Sequence, residues 1–130
     1  MSNLRNKERM IASTWEWDFL NGCFLRGIKM GDVDGIVECS GFFLVLETKN
    51  PGAPKPVGQR ILYEAMVKTG LFTVIYIWGK TNQPERIEIM APESWGEKGD
   101  IKTTKSPTDE KHLQAVVKTW FTKANRGKRV

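Results

Sequence analysis

Apolar positions near the start of the chain recur at the spacing of a helix. Between residues 4 and 20 the apolar side chains fall seven and then four residues apart, at Leu4, Ile11, Trp15 and Phe19. Such spacing places these side chains on one face of a helix. Asn21-Gly22 follows at once and is typical of a stop or turn. The pattern therefore predicts an N-terminal helix over residues 4–20.

The next part of the chain has the shorter apolar runs that are typical of strands. Three such runs occupy residues 23–30, 34–39 and 42–48, and each predicts a strand. Ser40-Gly41 separates the last two runs and predicts a tight hairpin between them. We expect the three strands to pair as an antiparallel meander.

The proline-rich segment at residues 50–56, NPGAPKP, predicts a loop because proline lacks the N–H that helices and sheets need. Residues 57–69 return to helical spacing, and Gly70 is typical of a helix C-terminus. The continuous apolar run at residues 72–78, FTVIYIW, predicts a buried central strand. The helix before it would return the chain to the sheet as a crossover.

The last part of the chain predicts a short strand at residues 86–90 and then mostly loop over residues 91–107. Ser106-Pro107 suits the start of a final helix, with serine as the cap and proline in the first turn. Its apolar stripe comprises Leu113, Val116, Val117, Trp120 and Phe121. The fold class predicted is α/β with a mixed sheet, and the length of 130 residues predicts a single domain over residues 1–130.

The net charge of +5 is concentrated at one end of the chain. Residues 118–130 form a basic C-terminal tail with no acidic residue, and their cations are Lys118, Lys123, Arg126, Lys128 and Arg129. A tail of this kind suits a polyanionic partner, although a solvated terminus has the same composition.

Composition narrows the classes of protein that fit this chain. Nothing approaches the roughly 18 consecutive apolar residues of a membrane span, and the polar N-terminus does not resemble a signal peptide. Cys23 and Cys39 do not have the spacing of a metal site, and we expect both to be buried thiols. We therefore expect a cytoplasmic protein without a membrane partner. The one histidine, His112, lies in the charged stretch DEKHL, which disfavours hydrolases that depend on histidine.

Two acids and a lysine combine in the most informative stretch of the chain, residues 31–59. Asp34 begins one predicted strand, and Glu47-Thr48-Lys49 ends the next. Glu47 and Lys49 are two residues apart, so they point to the same side of the strand. Two carboxylates and the carbonyl of Thr48 would suit Mg²⁺, which prefers oxygen ligands and keeps several waters. Lys49 could hold the attacking water or neutralise phosphate oxygens.

The acid-x-lysine triplet alone is a weak signal, because the chain contains it three times: at Glu47–Lys49, Asp100–Lys102 and Asp109–Lys111. The surrounding residues make the first one specific. The stretch resembles the PD-(D/E)xK nuclease superfamily, and most closely its small VRR-NUC branch of virus-type replication–repair nucleases. The matching segments are Gly31-Asp32-Val33-Asp34, Glu47-Thr48-Lys49, Asn50-Pro51-Gly52 and Gln59, within residues 28–79.

This resemblance implies a restriction-endonuclease-like core, with a mixed central sheet flanked by helices in the order α-β-β-β-α-β and an added C-terminal helix. It implies an enzyme dependent on Mg²⁺ or Mn²⁺ that hydrolyses DNA phosphodiester bonds. Asp34, Glu47, Lys49 and Gln59 would be catalytic, and the metal would be held by Asp34, Glu47, Thr48 and a glutamate of the first helix. Glu8 and Glu16 are both candidates for that glutamate, and family spacing favours Glu8.

The chain departs from the family pattern at two positions. Val33 stands where proline is usual, and Gly35 stands where an apolar residue is commoner. Asp32 competes with Asp34 for the first metal position, but Asp34 leads directly into the predicted strand. Asp32 also suits a turn.

We expect DNA to be the partner and the activity to be that of a phage-type, structure-selective endonuclease. Gln59 and Tyr63 also spell Q-x-x-x-Y, which resembles RecB-type exonucleases and keeps an end-dependent exonuclease open. A non-catalytic nucleic-acid-binding module is a third alternative. The resemblance leaves a homodimer open. The candidate DNA contacts are the basic side chains Lys29, Lys55, Arg60, Lys80, Arg126, Lys128 and Arg129.

Overall fold

The structure is a computed structural model that describes residues 15–126, without the side chain of Asn21. The chain divides into two compact units, Met1–Asp32 and Val33–Val130. In the described part of the first unit, a 3₁₀ helix spans Asp18–Cys23. Trp17 lies between Trp15 and Phe19, with ring centroids 5.9 and 6.5 Å away.

The second unit contains a five-stranded sheet and two α-helices. Its strands are β1 Gly35–Cys39, β2 Phe42–Lys49, β3 Phe72–Lys80, β4 Gln83–Pro92 and β5 Ile101–Pro107. The helices are α1 Val57–Lys68 and α2 Glu110–Arg126. The strands lie in the order β1-β2-β3-β4-β5. β2 and β3 pair in parallel, and every other pair is antiparallel. The predicted mixed α/β class, the crossover helix and the central strand are confirmed.

The β1–β2 hairpin forms where the sequence predicts it. Ser40 and Gly41 both have positive φ, at 54° and 85°, which is the conformation of a two-residue turn that matches the twist of antiparallel strands. The Gly41 N–H donates to Glu38 Oε2 at 2.8 Å. This turn fixes the register that pairs Gly35 with Leu46.

Each face of the sheet is covered by one helix. Tyr63 and Val67 of α1 pack against one face, with Val45, Val74, Tyr76, Trp78 and Met90 of the strands. We call this side the α1 face. Trp120 and Ala124 of α2 pack against the other side, the α2 face, with Phe42, Leu44, Ile75, Ile77 and Ile87. β3 contributes to both clusters, and its residues from Thr73 to Trp78 are buried.

The predicted strand at residues 23–30 is wrong, and so is the α-β-β-β-α-β order that includes it. Arg26 and Gly27 both have positive φ, at 63° and 69°, which is incompatible with an extended strand. Within residues 15–126, two strands therefore precede the crossover helix and three follow it. The predicted helix over residues 4–20 lies mostly outside the described residues. In the described part, residues 15–17 are not helical and Asp18 begins the 3₁₀ helix.

The prediction that residues 91–107 are mostly loop is also wrong. β5 occupies Ile101–Pro107 and pairs with β4, with Pro107 opposite Arg86. Proline is tolerated at the end of a strand on the edge of a sheet. The last helix therefore begins at Glu110, and its cap is Asp109, whose Oδ1 accepts from the His112 N–H at 2.8 Å. Ser106 and Pro107 do not begin it.

Most of the predicted basic tail is helical. Residues 118–126 form the end of α2, so Lys118, Lys123 and Arg126 project from a folded element. Lys123 lies 4.6 Å from the ring centroid of Trp95, which itself packs on Phe42. Lys128 and Arg129 lie outside the described residues. Among the helices that the structure describes, none has the length and apolar character needed to cross a membrane.

Candidate active site

The sheet brings the two predicted carboxylates together. Gly35 of β1 pairs with Leu46 of β2, so one step further along the same register Asp34 lies opposite Glu47. β2 ends two residues later at Lys49. The acids and the lysine therefore meet where β2 leaves the sheet, as the sequence predicts.

Asp34 is fixed by the residue between Glu47 and Lys49. Its Oδ2 accepts from the Thr48 backbone N–H at 2.8 Å and from the Thr48 hydroxyl at 2.9 Å. Partial burial raises the pKa of Asp34, but these hydrogen bonds, one from the Glu47 carboxyl and the charge of Lys49 outweigh it. The pKa of Asp34 is therefore lowered. Asp34 therefore stays ionised, and its side chain is exposed to solvent.

Glu47 has the opposite environment. It is 4% exposed, and Gln59 Nε2 and the Tyr63 hydroxyl both donate to its Oε1, the latter at 3.2 Å. Its second oxygen, Oε2, is buried without a hydrogen-bond donor among the described residues. Burial first, and then the hydrogen bond with Asp34 and the charge of Asp34, raise the pKa of Glu47 to about 7. Lys49 and Tyr63 only partly oppose this rise.

Lys49 is half-buried and near enough to lower the pKa values of both acids by its charge. It pairs with Trp78 in the parallel register, two residues from the Glu47–Tyr76 pair, so Glu47 and Lys49 share the α1 face. Lys49 also lines a cleft of about 540 Å³ together with Thr48, Asn50, Lys80 and Asn82. The lining of the cleft includes Ile77 and Leu113 of the α2 face and neither Asp34 nor Glu47, so the cleft opens to the lysine and not to the carboxylates.

Gln59 joins the site because α1 starts close to the end of β2. The loop between them is held by Trp78, whose Nε1–H donates to the Ala53 carbonyl at 2.7 Å. The helix then places Gln59 and Tyr63 four residues apart on one face. Both side chains reach the same carboxylate oxygen of Glu47. Gln59 lies in the site, where the sequence predicts it. The Tyr63 side chain is fully buried, and its hydroxyl donates to the same carboxylate.

The glutamate expected to complete the metal set stays a prediction. Glu8 lies outside the described residues. Glu16 is described and exposed, and it belongs to the first unit together with Asp32 and Lys29. Among residues 15–126, no group of three or more histidine, cysteine or acidic side chains is arranged to hold a metal ion. Two carboxylates, Asp34 and Glu47, are therefore what the described residues supply.

The candidate DNA contacts of the second unit differ in their surroundings. Lys80 is exposed and lines the same cleft as Lys49. Arg60 is exposed on α1, and Arg126 is exposed at the end of α2. Lys55 is different, because its ammonium is paired with Glu88 Oε1 at 2.6 Å. Trp78 is 4% exposed, so it packs in the core and offers no surface on which a base could stack.

A polar row beside Glu47 was missed in the sequence. Tyr76 pairs with Glu47 on one side and with Glu88 on the other, and its hydroxyl is buried without a partner among the described residues. Burial, then the charges of Glu47, Glu88 and Glu64, raise the pKa of Tyr76 to about 12. The alternation of Glu88 with apolar neighbours in β4 is the signal that could have revealed this row.

We expect the metal-free protein to lose stability as the pH rises from about 4.5 to 7. The pKa of Glu47 is raised from 4.5 to about 7, so in this window the folded state keeps a proton that the unfolded chain has released. The free energy of unfolding should therefore fall by about 3 kcal/mol at most. Urea unfolding in EDTA across this pH range measures it. Glu47→Gln should remove most of the slope, and an unchanged slope in that variant would contradict the assignment.

No family model, no curated protein and no solved structure matches this chain. The nuclease resemblance therefore stays a prediction that depends on the residues quoted for it.

Proposed function

We propose that this protein is a divalent-metal-dependent DNA nuclease that hydrolyses phosphodiester bonds, and that it is a phage-type, structure-selective endonuclease. The observation that carries the proposal is the Asp34–Glu47 pair. The two carboxyl groups lie close enough for each to shift the pKa of the other, a lysine lies beside them, and an accessible cleft begins at that lysine. Such a grouping suits the hydrolysis of an anionic substrate.

The residues present fit a hard divalent cation such as Mg²⁺ or Mn²⁺. Two carboxylates this close repel each other when both are ionised. The buried Oε2 of Glu47 accepts no hydrogen bond from any described donor, and a cation would satisfy it. Asp34, Glu47 and the carbonyl of Thr48 would hold the ion, with Glu8 as the expected addition. A bound ion would supply an activated water and withdraw charge from the phosphate.

Other side chains of the site would orient the two carboxylates and contact the water and the phosphate. Gln59 and Tyr63 donate to Oε1 of Glu47, so they orient the carboxylate and leave Oε2 free. Thr48 orients Asp34 through two hydrogen bonds. Lys49 would place its ammonium against the attacking water or against the phosphate oxygens that gain charge in the transition state. Lys80, in the same cleft, would bind a neighbouring phosphate.

A cleavage panel tests the proposal. Single-stranded, duplex, flap, fork and four-way-junction DNA are incubated with Mg²⁺, Mn²⁺ or EDTA. We expect cleavage of at least one substrate with either cation and none in EDTA. Melting curves with and without Mn²⁺ give a second readout that does not require activity, since a ligand that binds only the folded state raises the melting temperature. DNA binding without cleavage under any condition would favour the non-catalytic module.

An end-dependent exonuclease is the second candidate, and one observation favours it. Gln59 and Tyr63, the residues of the Q-x-x-x-Y pattern, both contact Glu47. Linear and covalently closed circular DNA of one sequence separate the two activities. Cutting of the closed circle would exclude an obligate exonuclease. Light scattering of the same samples would test the homodimer that the resemblance leaves open.

A further inference from the structure

A second concave surface lies on the α1 face, on the other side of the loop between β2 and α1. This groove of about 580 Å³ is lined by Pro51, Gly52, Trp78, Arg86, Lys105 and Pro107, with Glu85 and Ser106 completing its wall. The same loop borders the cleft at Lys49 through Asn50, Ala53 and Pro54. The groove and the cleft therefore flank one short stretch of chain.

Two cations of the groove project from the same face of neighbouring strands. Arg86 pairs with Pro107, and Glu88 pairs with Lys105, so Arg86 and Lys105 both lie on the α1 face. Both are exposed. Among residues 15–126 the ion pair formed is Lys55–Glu88, which leaves the charges of Arg86 and Lys105 unpaired. Glu85 is the acid in the wall, and its backbone carbonyl accepts from the Thr108 N–H.

Arg86 is held in a defined position by an aromatic ring. Its guanidinium lies 4.1 Å from the ring centroid of Trp78, and Trp78 is 4% exposed. A stacked guanidinium keeps its N–H groups at its edge, where they can bind two oxygens of one phosphate. Because Arg86 covers the indole, the ring is not open to a base. This arrangement suits recognition of a phosphate and disfavours recognition of a base.

The loop beside Arg86 borders open space at Gly52. Gly52 has a φ of +77°, and a Cβ there would meet nothing within 4 Å. A polymer bound at Lys49 would reach the groove by passing over Pro51 and Gly52, and no side chain projects into its path at Gly52.

We propose that Arg86 and Lys105 form a second phosphate-binding subsite, which holds the DNA backbone beyond the point of cleavage. This inference rests on the proposed nuclease function for the identity of the ligand. The subsite binds DNA without regard to sequence, because phosphate contacts fix position and carry no base information. It also makes affinity depend on the length of the strand.

Binding measurements in EDTA test the subsite without requiring cleavage. Fluorescently labelled single-stranded oligonucleotides of increasing length are titrated with wild type, Arg86→Gln, Lys105→Gln and the double variant. We expect each single variant to lose about threefold to tenfold in affinity for long oligonucleotides and nothing for the shortest. The slope of log affinity against log salt should fall by about 0.7 for each contact removed.

The matched control is Lys102→Gln. Lys102 lies on the same strand, three residues from Lys105, and therefore on the opposite face of the sheet. It is exposed, and its loss should leave affinity and salt slope unchanged. Arg86→Lys keeps the charge and removes the planar fork, so it should fall between wild type and Arg86→Gln. It also provides a second variant if Arg86→Gln does not fold.

The outcomes separate this inference from the nuclease proposal. Equal binding of long oligonucleotides by wild type and the double variant would overturn the subsite, and so would equal losses with Lys102→Gln. A protein that shows the expected length-dependent losses but cuts no DNA with Mg²⁺ or Mn²⁺ would keep the subsite and refute the nuclease. Cleavage that depends on Glu47, together with binding that does not change in the Arg86 and Lys105 variants, would support the nuclease and refute the subsite.

Discussion

Glu47→Gln should abolish Mg²⁺-dependent cleavage while the protein stays folded. The amide has the shape of the carboxyl group and can still contact Gln59 and Tyr63, but it cannot carry the negative charge that a cation requires. Because Glu47 is buried and its pKa is raised to about 7, its ionised form is costly without a cation. The variant should therefore be at least as stable as wild type at pH 7.5 in EDTA.

Lys49→Gln should have an effect of similar size on cleavage. The loss of one group that stabilises charge in a transition state typically costs about 10²–10³-fold in rate, and we expect at least this for both variants. Single-turnover cleavage of the best substrate from the panel measures it, since it separates chemistry from product release. Melting temperatures confirm that the variants fold.

The chain offers matched controls in its other acid-x-lysine triplets. Asp100→Asn and Lys102→Gln change the same residue types at the same spacing. Both positions are exposed, and neither lies in the cleft that begins at Lys49. Their cleavage rates should match wild type. Full activity in Glu47→Gln or Lys49→Gln would refute the assigned site, and equal losses in the controls would show that the effect is not specific.

The parts of the fold that follow local rules could be predicted from the sequence. The β1–β2 turn is one example, because Ser40-Gly41 accepts positive φ at both positions. The end of α1 is another, since Gly70 has a φ of +84° and its N–H donates to the Val67 carbonyl at 3.0 Å. The buried run in β3 was recognisable because a strand covered on both faces is apolar throughout.

The parts that depend on distant pairing could not be predicted. The sequence of β5, IKTTKSP, is polar, exposed and ends in proline, and it becomes a strand because β4 offers it an unpaired edge. The segment after Cys23 shows the reverse case. Its apolar residues resemble a strand, but Leu25 is 82% exposed, and the turn at Arg26 and Gly27 interrupts it.

The candidate site also combines features that local rules predict with features that depend on distant contacts. Asp34, Glu47 and Lys49 could be placed together because strand alternation and a hairpin are enough to bring them together. To predict that Gln59 and Tyr63 both donate to one oxygen of Glu47, one would need the angle between α1 and β2, which local sequence patterns do not specify. The sequence predicts Lys55 as a DNA contact, because a lysine in a proline-rich loop suggests a solvent-exposed side chain. Its ion-pair partner Glu88 lies 33 residues further along the chain, so local sequence patterns do not reveal the pair.

Lys55→Met should destabilise the protein more than the simultaneous loss of both partners. Lys55 Nζ and Glu88 Oε1 are 2.6 Å apart, and their side chains are 21% and 7% exposed. Removing the lysine alone leaves a buried carboxylate without its cation, which we expect to cost about 2–3 kcal/mol at pH 7. Glu88→Gln should cost less, about 1–2 kcal/mol, because the partly exposed lysine can turn its ammonium to water.

The double variant Lys55→Met/Glu88→Gln should return to within about 1 kcal/mol of wild type, since neither buried charge remains. Urea unfolding of the four proteins gives the coupling energy. Lys55→Met alone should also loosen the loop that connects Lys49 to Gln59. The hydrogen bond from Trp78 to the Ala53 carbonyl would still hold this loop. Additive losses in the double variant would mean that the two side chains contribute independently.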